Sequence, residues 1–290
     1  MVKFMNKLTF SGHEKFHCRQ FWLKKGYDFV QQKGRFSDEN AVVALGVGKN
    51  MVNSIRYWLK AFDLVDQQEQ PNALAREIFG ANGKDPYLEH IGTIWLLHYY
   101  LVAYGPASIY GLFFNQFRKE RIEFTKAQFL HFLKRTCEAQ NLAISENSLS
   151  NDIDILIKNY LRPKRSTQNI EDDFSGLLID LDLLQEFSSG GTTWYKVENS
   201  ERDDLPVEMV LYAILDQEAG NVSISFDKLL NAENGVGLVY ALSANGLMRK
   251  IREITAKFSD IIFSDDAGIR ELQFKQEFQK EELLRLYYAN

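Results

Sequence analysis

The chain is poor in cysteine: Cys18 and Cys137 are the only two in 290 residues. Two such thiols make no disulfide framework, which fits a reducing compartment. Long apolar runs are lacking too. The nearest spans residues 91–103, holds His98, and falls short of the roughly 20 residues needed to cross a bilayer. The N-terminal MVKFMNKLTF has no long apolar core followed by a small-residue cleavage site, so it does not read as a secretory signal. A cytoplasmic protein is expected. Overall positive charge is also missing: the net charge is −5 and the pI about 5.7, which by itself argues against a nucleic-acid partner. The 45% hydrophobic and 13% aromatic content excludes wholesale disorder and suits one to three domains.

The distribution of charge changes that picture. Residues 1–60 hold eleven Lys and Arg against four acids, a net of +7, which leaves −12 on the rest. A local positive field therefore sits inside an acidic chain, although Lys and Arg commonly do no more than solvate helix faces. The basic segment coincides with Ser37 to Val65, SDENAVVALGVGKNMVNSIRYWLKAFDLV. Residues 38–45 predict one short helix, Gly46-Val47-Gly48 a break, and residues 50–62 a second helix. In the second, Met51, Val52, Ile55, Trp58, Leu59 and Phe62 recur at helical spacing and predict a buried stripe. Lys49, Asn50, Asn53, Ser54, Arg56, Tyr57 and Lys60 are expected to present the opposite face. This is a helix-turn-helix pattern whose second helix carries residues that read base edges and neutralise phosphates. The same pattern also occurs as ordinary helical packing or in protein-binding modules.

Along the chain, residues 13–32 predict the first helix of a trihelical unit, and Ser37 can cap the next helix. A helical middle follows, with helices expected over 88–103, 107–117, 126–140 (capped by Thr125) and 146–161 (capped by Ser145). The aromatic stripe Tyr110, Phe113, Phe114 and Phe117 reads as core. Arg162-Pro163-Lys164-Arg165 reads as a basic loop. Residues 177–184 and 193–197 predict two strands around Ser188-Ser189-Gly190-Gly191, the size of a wing. The last third predicts helices from Pro206 to 219, 226–230, 247–258 and 276–288, with a hairpin of 260–264 and 269–274 around Asp265-Asp266-Ala267-Gly268. The expectation is a mainly α (α+β) chain of tandem winged-helix units with small hairpin wings. Its parts are an N-terminal helix-turn-helix domain (1–82), a helical middle with a second unit (83–200) and a C-terminal winged-helix-like domain (201–290).

Chemistry finds little foothold. His13-Glu14-Lys15-Phe16-His17 is a literal H-E-x-x-H, but it follows Ser11-Gly12 at a helix start and has no evident third ligand. His90, His98 and His131 are scattered, and Cys18 next to His17 points elsewhere. Gly46-Val47-Gly48-Lys49 fails the phosphate-loop pattern, because Val43 stands where a glycine is required and Asn50 where Ser or Thr is. Asp172-Asp173 and the pair Asp180 and Asp182 read as solvated acids. Arg118-Lys119-Glu120-Arg121 reads as an exposed loop partly balanced by Glu120 and Glu123. Neither a metal nor a cofactor is expected, and no enzyme is read. His13, Lys15, Arg19, Lys24 and Lys25 are candidates for phosphate contact.

Ser11-Gly12-His13-Glu14-Lys15-Phe16, Trp22-Leu23-Lys24-Lys25-Gly26, 44–52 and Ser54-Ile55-Arg56-Tyr57-Trp58 together resemble an uncharacterised bacterial family known chiefly as a domain of unknown function. Trp95-Leu96-Leu97-His98 and Phe114-Asn115-Gln116-Phe117 are similar as well, so the resemblance extends over most of the chain. The family pattern keeps the His-Glu pair but not a second His at the place of His17, which weakens the zinc reading further. The resemblance implies genes near phosphoadenosine-phosphosulfate-reductase-like enzymes in DNA phosphorothioation and phage-defence loci, and no activity. The expected function is a non-enzymatic accessory protein that binds double-stranded DNA, with transcriptional regulation as a close variant. The alternative is an adaptor that holds a partner enzyme, which the acidic remainder of the chain favours. A zinc hydrolase comes third.

Overall fold

The computed structural model describes residues 8–162, 176–218 and 220–289. At its centre lies α5 (Ile91–Ala103), IGTIWLLHYYLVA. This helix is apolar on every side, and such a helix can only be placed inside. Every residue from Gly92 to Val102 is buried. Its polar groups find partners in later parts of the chain: Thr93 and Tyr288 share a hydroxyl bond of 2.7 Å, and the Tyr99 hydroxyl donates to Asp216 at 2.6 Å. His98 ties two further segments. The Val239 carbonyl can only accept, so Nε2 donates to it at 2.7 Å, which leaves Nδ1 to accept from the Tyr160 hydroxyl at 2.8 Å.

Before α5 come α1 (Trp22–Gln31), α2 (Ala41–Leu45), α3 (Lys49–Ala61) and α4 (Ala73–Phe79), with an isolated antiparallel bridge between Val65 and Pro71. After it come α6 (Ser108–Leu112), a π-helical turn (Phe113–Phe117), α7 (Arg118–Glu120), β1 (Glu123–Phe124), α8 (Lys126–Ala139) and α9 (Glu146–Tyr160). Then follow a 3-10 turn (Ile179–Leu181) and the hairpin β2 (Gln185–Ser189) and β3 (Thr192–Lys196). Thr125 caps α8 in a complete capping box with Gln128, and the Ser145 hydroxyl accepts from the Ser148 N–H at the start of α9. The last third holds α10 (Val207–Gln217), β4 (Ser223–Ser225), α11 (Phe226–Asn231), α12 (Val236–Val239) and α13 (Ala244–Lys257). It ends with β5 (Ile261–Asp266), β6 (Ile269–Phe274) and α14 (Lys280–Tyr288).

Both sheets are antiparallel and repeat one topology. A short strand after a helix pairs with the last strand of a later hairpin, giving the orders β1-β3-β2 and β4-β6-β5. Buried side chains from Cys18 to Leu284 form one contiguous cluster. The expected mixed α+β class, mainly helical with small antiparallel sheets, is what the chain adopts. Among the described residues no helix is long and apolar enough to cross a membrane.

Three expectations are corrected. The helix predicted over 13–32 begins only at Trp22, because Glu14 and Lys15 sit at φ 50° and 64°, a left-handed conformation that a right-handed helix cannot continue. Residues 177–184 are not a strand. Leu177, Leu178, Ile179, Leu181, Leu183 and Leu184 are all buried, so the run is apolar because it is surrounded, not because it is pleated, and Asp182 at φ 45° breaks any extended path. The closing helix starts at Lys280 rather than at 276. The loop residues Pro163 to Arg165 and the pair Asp172-Asp173 lie outside the described residues.

Candidate nucleic-acid interface

The segment expected as a helix-turn-helix folds as two helices joined by a tight turn. Gly46 ends α2 at φ 61°, which a residue without Cβ adopts at little cost, and Gly48 is extended at the start of α3. A Cβ at either glycine would meet nothing within 4 Å, so the turn projects into open space. Among the described residues no side chain caps the first turn of α3, whose N–H groups carry the positive end of the helix dipole. Val52, Ile55, Trp58 and Leu59 are buried as predicted, and Met51 packs against them half-buried. The helix approaches α1 closely at Gly26, where a Cβ would come within 2.7 Å of Ile55.

The predicted recognition face divides. Lys49 and Asn50 are exposed and Asn53 is half-exposed, with no side-chain bond among the described residues. Ser54, by contrast, is completely buried, so it cannot touch a duplex. Its place is correct for the helix face that meets the core, and its hydroxyl has no partner among the described residues. Tyr57 lies against the chain rather than in solvent. Its ring packs edge-on to His13 at 5.9 Å and under Gly12, and burial, reinforced by Asp152, pushes its phenol well up from the ordinary range. Arg56 and Lys60 both bind Glu69, Lys60 at 2.9 Å. Burial acts to raise the Glu69 carboxyl, but the hydrogen bonds from Lys60 and Arg56 outweigh it and hold it below the usual carboxylate range. The phosphate candidates divide too. Lys15 is exposed, Lys24 pairs with Asp28, and Lys25 donates to the Leu45 carbonyl at 3.1 Å, at the end of α2. Arg19 lies over the Trp22 ring at 5.4 Å.

His13 is removed from the interface altogether. It is buried, with Nε2 at 2.6 Å from Asp152 Oδ1 on α9, while Nδ1 accepts from the Lys15 N–H at 3.0 Å. Both ring nitrogens are therefore engaged within the chain, and neither is left to meet a phosphate. The same carboxylate accepts from the Ser11 N–H, Cys18 N–H donates to Asn159 at 3.0 Å, and the Trp58 indole donates to the Phe16 carbonyl at 3.1 Å. Ser11-Gly12-His13-Glu14-Lys15-Phe16 is thus a clasp that fastens α3 to α9. Among the described residues no three His, Cys, Asp or Glu side chains come together as a metal site.

Asp152, Asn159 and Glu69 escaped the sequence reading. Asp152 and Asn159 had a legible signal: they continue the stripe of Leu149 and Leu156 at helical spacing, polar groups on an apolar face. Glu69 had none, since its reach to α3 depends on the turn between Val65 and Pro71, where it adopts φ 63°.

The fold and site define a class: a mixed α+β protein of helices and small antiparallel sheets built around one buried helix, with the start of α3 exposed. The chain belongs to the family described as Protein of unknown function (DUF4007), whose model matches residues 10–288. Two solved structures are similar over 97% of this chain and 88% of theirs. "Magnesium ion-bound SspB crystal structure" has TM-score 0.87 and 27% identity, and "SspB crystal structure" has TM-score 0.84 and 28% identity. No curated protein matches this chain.

Proposed function

We propose that this chain is a non-enzymatic accessory protein of a bacterial DNA-modification or phage-defence system and that it contacts double-stranded DNA. The observation that carries this reading is the uncapped, outward-facing start of α3, where Lys49 and Asn50 stand beside unsatisfied N–H groups in open space. Recognition helices present their N-terminal residues to base edges in this way. The repeated order of helix, short strand, helices and hairpin, with the first strand paired to the last, is read as a winged helix twice over. The gene neighbourhood implied by the N-terminal motifs, together with the likeness to SspB over 97% of the chain, supports the setting. Other proteins of such a system are the expected partners, and control of transcription is a close variant.

The experiment is fluorescence anisotropy with a labelled mixed-sequence duplex across a salt series. Wild type should bind with affinity that falls steeply as salt rises, and Lys49→Glu/Asn50→Ala should weaken it at least tenfold without loss of fold. Reversing Arg56 or Lys60 would be a poorer test, since either change places a carboxylate against Glu69. Absence of binding by wild type at low salt would overturn the reading. The adaptor reading would then take its place, favoured by the exposed Val42 and Val43 on the outer side of α2. One of the similar structures holds magnesium, so the non-enzymatic part has its own check. Supercoiled plasmid incubated with the protein and Mg²⁺ should remain supercoiled, and conversion to nicked or linear forms would replace a binder by a nuclease.

A further inference from the structure

Residues 118–135 form a second basic segment in the acidic part of the chain, with six Lys and Arg against two Glu. Most of these cations are held internally. Arg118 is buried and donates to the Leu238 carbonyl at 3.1 Å, and Lys119 donates to the Asn231 carbonyl at 3.0 Å. Lys126 pairs with Asp154 and Lys134 with Glu146, both on α9. Two remain. Arg121 is exposed, with no side-chain partner among the described residues, and so is His131 on the outer face of α8. Arg135, one turn further along α8, lies over the Phe132 ring at 5.6 Å and gives one guanidinium nitrogen to Glu120 at 2.6 Å, leaving its other donors open.

These three side chains line one surface cavity of about 410 Å³ together with Phe117, Gln128 and Phe132, with Glu120 as the acid of its lining. In the middle unit α8 is the helix that precedes α9. In a helix-turn-helix that preceding helix crosses the backbone of the duplex. Two guanidiniums and an imidazole lining one cavity offer several donors to a tetrahedral oxyanion with several acceptors. We infer that this cavity is a second anchor, in which Arg121, His131 and Arg135 hold a backbone phosphate of bound duplex DNA. The inference rests on the DNA-contacting function proposed above. Glu120 is then a competing anion, and the phosphate displaces it from Arg135.

The test uses the full chain, the same duplex and the same salt series, with Arg121→Gln/Arg135→Gln, Glu120→Gln and Lys134→Gln as a control for charge outside the cavity. The double variant should bind about tenfold more weakly, with its salt slope lowered by roughly one for each phosphate that is no longer neutralised. Glu120→Gln should bind about threefold more tightly, a gain that misfolding cannot produce, and Lys134→Gln should change little. Wild-type affinity and slope in the double variant would overturn the cavity while leaving the DNA reading intact. If wild type binds no duplex, the DNA reading has failed. Calorimetric titration with inorganic phosphate then decides: binding that disappears in the double variant makes the cavity a site for free phosphate, overturning the DNA anchor, and no binding overturns it as any phosphate site.

Discussion

Two buried side chains show how far a single residue can bind the chain together. Asp152 accepts from the half-buried Ser11 N–H and from the buried His13 ring. Replacing it with alanine strands them both, and the expected loss is about 3–5 kcal/mol in denaturant unfolding. A loss below about 1 kcal/mol would show that the clasp is incidental. His98 makes stability depend on pH. Burial pushes its pKa down to about 3, against the pull of the Val239 carbonyl, with Arg118 and Arg202 adding to the fall. The unfolded chain takes up this proton near pH 6.5, so below that pH it binds more protons than the folded chain. The contribution is therefore complete above pH 6.5 and is lost as pH falls towards 3, by about 1.4 kcal/mol per unit. Measured between pH 7.5 and 4.5, the gap in stability between wild type and His98→Gln should narrow at that rate, and a constant gap would contradict the account.

At the scale of elements, α3 is the part whose position matters most, and two contacts set it. Gly26 lets α1 approach α3, since a larger side chain would strike Ile55 and Leu59. Gly26→Leu should cost about 1–3 kcal/mol by overpacking and lower the thermal midpoint. If the interface proposal holds, it should also weaken duplex binding in the protein that remains folded. Glu69 governs the outer face of the same helix. Glu69→Gln releases Arg56 and Lys60, so duplex affinity should rise several-fold and its salt dependence steepen. Unchanged affinity in that variant would place the duplex away from the third and fourth turns of α3.

For the whole molecule, α5 joins the middle to the last third, with bonds to Tyr160 from the middle and to Val239, Tyr212, Asp216 and Tyr288 from the last third. The buried cluster running from Cys18 to Leu284 has no break at 82 or at 200. Heating should therefore give one cooperative transition, with calorimetric and van't Hoff enthalpies in agreement. Two resolved transitions would instead mean that the units melt as separate bodies.

Much of this was legible from residues alone. Periodicity located α3, α8 and α9, and the capping residues Thr125 and Ser145 marked where the last two begin, because helix faces and exposed N–H groups are local matters. Residues 13–20 and 177–184 were misread because local composition is silent about a left-handed backbone or about burial on every side. By itself the sequence determined the α+β class, the two helices joined by a glycine turn before residue 62 and the concentration of positive charge before residue 61. Only the tertiary structure decided that His13 faces Asp152 across 139 positions, that Glu69 covers Arg56 and Lys60, and that Arg121 and Arg135 share a cavity. Charge can be counted along a chain, but whether a charge meets solvent or a partner depends on which distant segments folding brings beside it.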